Sequence, residues 1–400
     1  MGKFKYRVMN SEGEKIEGQY EANSKDEVIA FISSNGYYPL MVEEVVQSAN
    51  IELKLSKKVK LKDLSVFCRQ FYTMLNAGVP ILTCLDILAN QIENQKLREA
   101  TKAVNEEVEK GGVLSEAMSK HKEVFPELLV SLVASGEASG SLEAIMLRMS
   151  THYEKENKIN NKVTSALIYP IVLGFVSIAA VAFILVYVMP TFIDIFKQSG
   201  TALPWSTQLI MWISEGIQNY WFIIIAVIII FSFLLNIFRK TDEGILFFSK
   251  LRLKLPILKK LNQMLIVSRF TRTLSTLIAS GLSLVEALNI VSAVTGNKVA
   301  EKALLKIRDN VMRGESLYAS MVESNMFPPM LYSMIKIGEE TGSLDDILNK
   351  TADFYDDELE AIIQTSVAML EPLLIVIMGI LIGFMVVSIM IPMFDSYNQI

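Results

Sequence analysis

Three stretches of this 400-residue chain, 171–189, 222–238 and 373–393, carry no charged side chain. Each approaches the ~20 residues that a helix needs to cross ~30 Å of hydrocarbon. Buried soluble helices of that length keep a polar face, and these have none. Three membrane-spanning helices are therefore the condition that the rest of the chain has to meet. Tyr220 and Trp221 mark the edge of the second stretch, where aromatic rings favour the interface. Residues 1–6 lead into an alternating, half-polar stretch, so insertion is expected to be directed by the internal spans.

Lysine and arginine set the expected orientation. Residues 190–219 contain one, Lys197, and the segment after Met393 contains none. Lys155, Lys158 and Lys162 precede the first span, and Arg239, Lys240, Lys250, Arg252, Lys254, Lys259 and Lys260 follow the second. By the positive-inside rule the N-terminus and the middle region are cytoplasmic, and the C-terminus is external. The formal net charge of -5 offers no basic face for nucleic acid. Cys68 and Cys84 are expected to be buried, reduced thiols, and His121 and His152 lack the companions of a zinc site.

The chain repeats itself. Residues 67–78, Phe-Cys-Arg-Gln through Ala-Gly, align with 270–281 at an offset of 203 (Gly78 to Gly281). Gly136-Glu137-Ala138-Ser139-Gly140-Ser141-Leu142 aligns with Gly338-Glu339-Glu340-Thr341-Gly342-Ser343-Leu344 at 202. Phe125-Pro126 matches Phe327-Pro328, Tyr153 matches Tyr355, and Pro170 matches Pro372. A near-constant offset marks a duplicated helical unit, each copy ending in a span. The middle span has no counterpart and returns the chain to the side where the second copy begins.

Inside each copy the pattern is helical. Leu64, Phe67, Phe71, Met74 and Leu75 recur at spacings of three and four. Gly78 and Gly281 are expected to end helices, Pro80 to start one, and Ser141 and Ser343 to cap. Ser343 and Asp346 have capping-box spacing. Residues 4–9 and 18–22 read as strands around a turn at 11–13, and 24–36 as a helix before an extended 37–42. The expected fold is a mainly α membrane protein with two duplicated cytoplasmic helical bundles, three transmembrane helices and a small N-terminal α/β module. Its divisions are a module at 1–47, a linker at 48–61 and a first cytoplasmic domain at 62–165. A span at 166–190, an external loop at 191–219 and a span at 220–238 follow. A second cytoplasmic domain at 239–367, a span at 368–393 and an external tail at 394–400 complete the chain.

Catalytic motifs are missing: no glycine-lysine-serine/threonine loop, GxSxG elbow, HExxH pair or EF-hand loop occurs. No enzyme activity and no cofactor are expected. Glu137 and Glu339, beside glycine turns, are read as caps or partners of basic side chains, with a divalent cation or a partner contact as the alternative. The glycines around them are read as a structural turn rather than an anion nest. Arg69 and Arg272 are expected to form ion pairs within their bundles. Glu371, one turn inside the third span beside Pro372, has Tyr169 as its repeat counterpart and is read as an intramolecular or intersubunit polar contact, with a mechanistic role as the alternative. Gly379 and Gly383 form a GxxxG that allows close helix packing. Asp353, Asp356, Asp357, Glu358 and Glu360 are read as a solvated face, with docking to a basic partner as the alternative.

Taken together, the α/β module, Phe-x-Arg-Gln with Ala-Gly, Phe-Pro, Gly-Glu-x2-Gly-Ser-Leu and Tyr-Pro, repeated with Glu-Pro, resemble the type II secretion F family. That family includes the inner-membrane platform proteins of type IV pili. Cys68 stands where the family usually has Ser or Thr. The resemblance covers the whole chain and implies a non-enzymatic scaffold in the cytoplasmic membrane that self-associates among membrane lipid. It implies as partners a hexameric assembly ATPase, pilin or pseudopilin subunits and other inner-membrane assembly proteins. A transporter or channel component is the alternative, disfavoured because three spans with one acid and little external mass make a poor solute pathway unless oligomerised.

Overall fold

Alternation at the start of the chain produces strands. In the computed structural model, which describes residues 2–9, 15–22, 24–44, 58–192 and 204–397, β1 (Gly2–Met9) pairs antiparallel with β2 (Lys15–Ala22) and β3 (Tyr38–Glu44). The strand order is β2-β1-β3. Phe4 and Val8 point to one face of the pleat and meet Val28 and Ile32 of α1 (Lys25–Ser34). Ser24 caps α1 by accepting from Glu27 N at 3.2 Å, and Gly36, at φ +78°, lets the chain leave it. The turn expected at 11–13 and most of the linker expected at 48–61 lie outside the described residues.

From residue 58 onward the described chain is helical. The first repeat comprises α2 (Leu61–Asn76), α3 (Ile81–Gln91), α4 (Gln95–Glu109), α5 (Leu114–Ser119), α6 (Glu127–Ser139) and α7 (Leu142–Phe183). The middle of the chain forms α8 (Trp205–Phe238) and α9 (Asp242–Lys254). The second repeat comprises α10 (Pro256–Ile278), α11 (Leu284–Val294), α12 (Lys298–Met312), α13 (Leu317–Ser324), α14 (Pro329–Thr341) and α15 (Leu344–Ala368). Helix α16 (Leu370–Tyr397) follows after one residue.

The repeated motifs are the joints of these bundles. Phe67 of α2 packs on Phe125 with ring centroids 5.8 Å apart, and Phe270 of α10 packs on Phe327 at 4.9 Å. Burying each ring contributes about 2–3 kcal/mol. The prolines that follow, Pro126 and Pro328, sit at the N-caps of α6 and α14. Gly78 and Gly281 adopt φ of +78° and +83°, so the next residue can bond back to Met74 O or Leu277 O and close the helix. α2 lies along the first half of α7 and α10 along α15, and both repeats share one apolar core.

Among the described residues, three helices are long and apolar enough to cross a membrane: Leu142–Phe192, Trp205–Phe238 and Leu344–Pro392. The first runs unbroken from the bundle through Pro170 and a π-helical turn, Ile184–Val188. The second departs from expectation. Residues 205–219, read as part of an external loop, are helical, and α8 kinks at Tyr220 instead of starting there. Ser206, Thr207, Ser214, Gln218 and Asn219 interrupt the hydropathy, but no residue breaks the helix. Those polar groups have uses. Ser214 Oγ donates to Leu185 O in the π turn at 2.5 Å, and Thr207 Oγ1 donates to Ser388 O of α16 at 2.5 Å. A small core of Leu185, Met189, Ile210 and Met385 gathers the three helices there. Residues 193–203 of the expected loop and 398–400 of the expected tail lie outside the described residues.

Candidate coupling site between the two repeats

The helices that enter the membrane at the ends of the two repeats, α7 and α15, approach each other along a polar face. α7 presents Lys155, Lys158 and Lys162 one turn apart; α15 presents Asp353, Asp356, Asp357 and Glu360. Lys155 Nζ lies 2.6 Å from Asp353 Oδ1, and Lys162 pairs with Glu360. From α10, Arg272 reaches Asp353 at 2.8 Å and also pairs with Asp356, which accepts from Ser268 Oγ at 2.6 Å. Arg269 Nε stands 3.8 Å from Glu156 of α7, and buried His152 stands 3.9 Å from the same carboxylate. A cavity of about 270 Å³ opens among them, lined by His152, Glu156, Leu265, Arg269, Arg272 and Asp356.

Burial governs ionisation here. Loss of water, reinforced by the Arg272 charge, pulls the His152 imidazole down to about 4, so it is neutral at physiological pH. Burial pushes the Glu156 carboxyl up, and Arg269 only partly opposes it. Burial also raises Asp353, but its bonds to Lys155 and Arg272 win and hold its carboxyl below the ordinary range. Tyr153 and Tyr355, equivalent in the two repeats, are raised by burial, Tyr355 to about 12. The arrangement holds helices together; among the described residues no group of three or more His, Cys, Asp or Glu is placed to hold a metal ion.

Arg69 pairs with Glu154 at 2.9 Å, the counterpart of Arg272 with Asp356. Glu137 accepts from Leu114 N and Ser115 N at 2.8 and 2.9 Å, and Glu339 from Leu317 N and Tyr318 N at 2.6 and 2.9 Å. Each glutamate accepts with both oxygens from the N-terminus of the short helix that precedes its own, as a capping side chain does. Gly136 and Gly338 let helices cross: a Cβ would lie 2.9 Å from Ile145 Cγ1 or 2.8 Å from Leu344 Cδ1. Gly140 and Gly342, at φ +68° and +67°, turn the chain. The amides after them bond to Gly136 O and Gly338 O, so the motif is a turn and not a nest.

Tyr169 Oη donates to Glu371 Oε1 at 3.1 Å, joining two repeat counterparts beside Pro170 and Pro372. Both prolines lack the N–H that would bond an alanine carbonyl, Ala166 or Ala368, four residues earlier. Three expectations need correction. Neither Ser141 nor Ser343 makes a cap bond; each instead shares a hydrogen bond with the hydroxyl two residues earlier, Ser139 or Thr341, while Asp346 pairs with Lys350. The acidic run is not a wholly solvated face, because Asp353, Asp356 and Glu360 are paired within the chain. A Cβ on Gly379 or Gly383 would meet nothing within 4 Å, so no described helix of this chain packs closely there. His152, Glu156 and Arg269 were missed. A comparison of charge between the repeats would have pointed to that face.

Bundles built by duplication, each running into a membrane span, with a return span between them, define a multi-pass membrane protein of two tandem units. The profile for "Type II secretion system (T2SS), protein F" matches residues 67–190 and again 270–392, and its N-terminal domain profile matches 1–43. The chain belongs to the type II secretion system protein F family. It is 36% identical to the type IV pilus assembly protein PilC of Myxococcus xanthus, over 99% of this chain and 95% of that one. It is 34% identical to PilC of Thermus thermophilus over 98% and 97%. It is 28% identical to type II secretion system protein F of Vibrio cholerae over 100% and 99%.

Proposed function

We propose that this chain is a non-enzymatic inner-membrane platform of a type IV pilus or type II secretion machine. In this reading it couples a cytoplasmic hexameric assembly ATPase to the insertion of pilin or pseudopilin subunits, working as an oligomer among other inner-membrane assembly proteins. The N-terminus and both bundles are cytoplasmic and the C-terminus external. The observation that carries the proposal is the pair of rods. α7 passes from its bundle into the membrane without interruption, α15 passes into α16 with a single residue between, and ion pairs hold the two side by side. A force applied to either bundle therefore reaches a span with little loss in between, provided the rods stay paired.

The test combines binding with separation of the rods. Detergent-solubilised protein is expected to bind the cell's assembly ATPase and raise its turnover. Lys162→Glu is expected to keep ATPase binding yet lower the yield of filaments or secretion, and adding Glu360→Lys to restore it. Absence of binding, with filaments and secretion intact after deletion of the chain, sinks the proposal.

A further inference from the structure

The second span, α8, ends at Phe238, and only Arg239, Lys240 and Thr241 separate it from α9. The turn is tight. Thr241 Oγ1 accepts from Gly244 N at 3.2 Å, and a Cβ on residue 244 would lie 1.8 Å from Phe238 O, so glycine is required. The ring of Phe238 stands edge-on to both Phe247 and Phe248, with centroids 6.4 and 6.2 Å away. The aromatic surface of the span thus continues onto α9 without a gap.

One face of α9 is fixed to the helical body. Ser249 is buried, its carbonyl accepting from Asn297 Nδ2 and its Oγ from Lys298 N, each at 3.2 Å. On the opposite face Phe247 and Leu251 follow at helical spacing, and Leu255 comes directly after the helix end; they are 55, 37 and 41% exposed. Lys250, Arg252 and Lys254 flank them, all exposed, and the Arg239 guanidinium lies 5.0 Å over the Phe248 ring. Asp242 and Glu243 sit in the first turn, where the helix dipole favours acids. A helix surrounded by water would turn such a ridge inward. An apolar ridge bordered by long cations is the pattern of a helix lying in the headgroup layer, its stems and rings in the acyl boundary and its charges reaching phosphates.

We propose that α9 lies in the membrane interface and binds anionic phospholipid. Phe247, Leu251 and Leu255 enter the acyl boundary, and Arg239, Lys250, Arg252 and Lys254 meet lipid phosphates. This rests on α8 being a span. Orientation in the cell does not enter, because both leaflets of the test vesicle have one composition.

The test uses the full chain in vesicles of phosphatidylcholine, with and without phosphatidylglycerol. A nitroxide is placed at Phe247→Cys, or at Val322→Cys as an exposed control on α13; native Cys68 and Cys84 are buried. At position 247 the label is expected to meet oxygen but not an aqueous nickel chelate, at a depth of about 5–10 Å. The control should meet nickel. Lys250→Gln, Arg252→Gln and Lys254→Gln together should lower the enrichment of phosphatidylglycerol around the protein toward its bulk fraction in the vesicle. Nickel access at 247 would overturn the proposal, since the helix would then stand in water. Protection from both reagents would overturn it in favour of a protein contact. Equal depth and equal enrichment in the triple variant would overturn the anionic preference.

Discussion

Arg69 and Arg272 occupy equivalent positions and meet acids at equivalent positions, yet they should differ several-fold in what they contribute. The side chains of Arg69 and Glu154 are 45 and 65% exposed; those of Arg272 and Asp356 are 11 and 17% exposed. Removing one partner of an exposed pair costs about 0–1 kcal/mol. Removing one partner of a buried pair costs about 3–5 kcal/mol, because a charge is left in a medium that solvates it poorly. Here Asp356 would keep Ser268 Oγ and Asp353 would keep Lys155, which places Arg272→Gln near the lower bound, about 3 kcal/mol. Arg69→Gln should cost under about 1 kcal/mol. Pulse proteolysis of the full chain in lipid nanodiscs across a urea series reads both losses on the helical body. Adding Asp356→Asn to Arg272→Gln should recover most of the loss, since the stranded carboxylate is gone. Equal losses at the two arginines, or no recovery in the double variant, would refute the argument that burial decides the difference.

Gly338→Ala should destabilise by about 1–3 kcal/mol in the same assay, because its Cβ would press on Leu344, whereas Gly379→Ala should change folding by less than about 0.5 kcal/mol. Glu339→Ala removes the acceptor of Leu317 N and Tyr318 N at the start of α13 and should cost about 0.5–2 kcal/mol, with amide exchange rising at those two residues before the rest of that bundle. His152 binds fewer protons folded than unfolded between its ordinary 6.5 and about 4. Stability should therefore fall as pH drops through that window, by up to about 3 kcal/mol, with Glu156 opposing in part. His152→Phe, which copies Phe354 of the second repeat, should flatten that slope in urea titrations at stepped pH; an unchanged slope would exclude His152 as its source.

What the sequence made legible was mostly local chemistry. Gly78, Gly140, Gly281 and Gly342 are turns because only glycine takes a positive φ cheaply, and that requirement shows without any partner. Phe125-Pro126 and its copy could be recognised as a unit because ring and proline act at adjacent positions. The start of α8 was hidden because Ser206, Thr207 and Ser214 look like loop residues until Leu185 O and Ser388 O are seen to accept their bonds. The acidic run looked solvated because its partners, Lys155 and Lys162, lie about two hundred residues earlier. Ser343 had capping spacing, but its backbone, at φ -118° and ψ 46°, turns its hydroxyl toward Thr341. Long-range pairing and backbone angle are the two things a spacing rule does not contain.

The duplication has kept its joints and reversed the charge at two lysine positions of α7, and the reversal helps one chain hold itself together. Lys155 and Lys158 stand where the second repeat carries Asp357 and Glu360, at the offset of 202 that also relates Tyr153 to Tyr355. Two identical repeats meeting about a twofold axis would bring the same surface patch against itself, so a basic face would meet a basic face. With the signs reversed, α7 attracts α15 and repels another α7, which favours pairing within the chain and disfavours the homotypic alternative. The ladder then runs from Lys155–Asp353 through Lys162–Glu360 toward the membrane edge, where a full charge pair becomes expensive to desolvate. There the contact becomes Tyr169–Glu371, a neutral donor on an acid, between equivalent positions of the two repeats. The pairing of the rods is thus continued at each depth by the strongest contact that the surroundings permit.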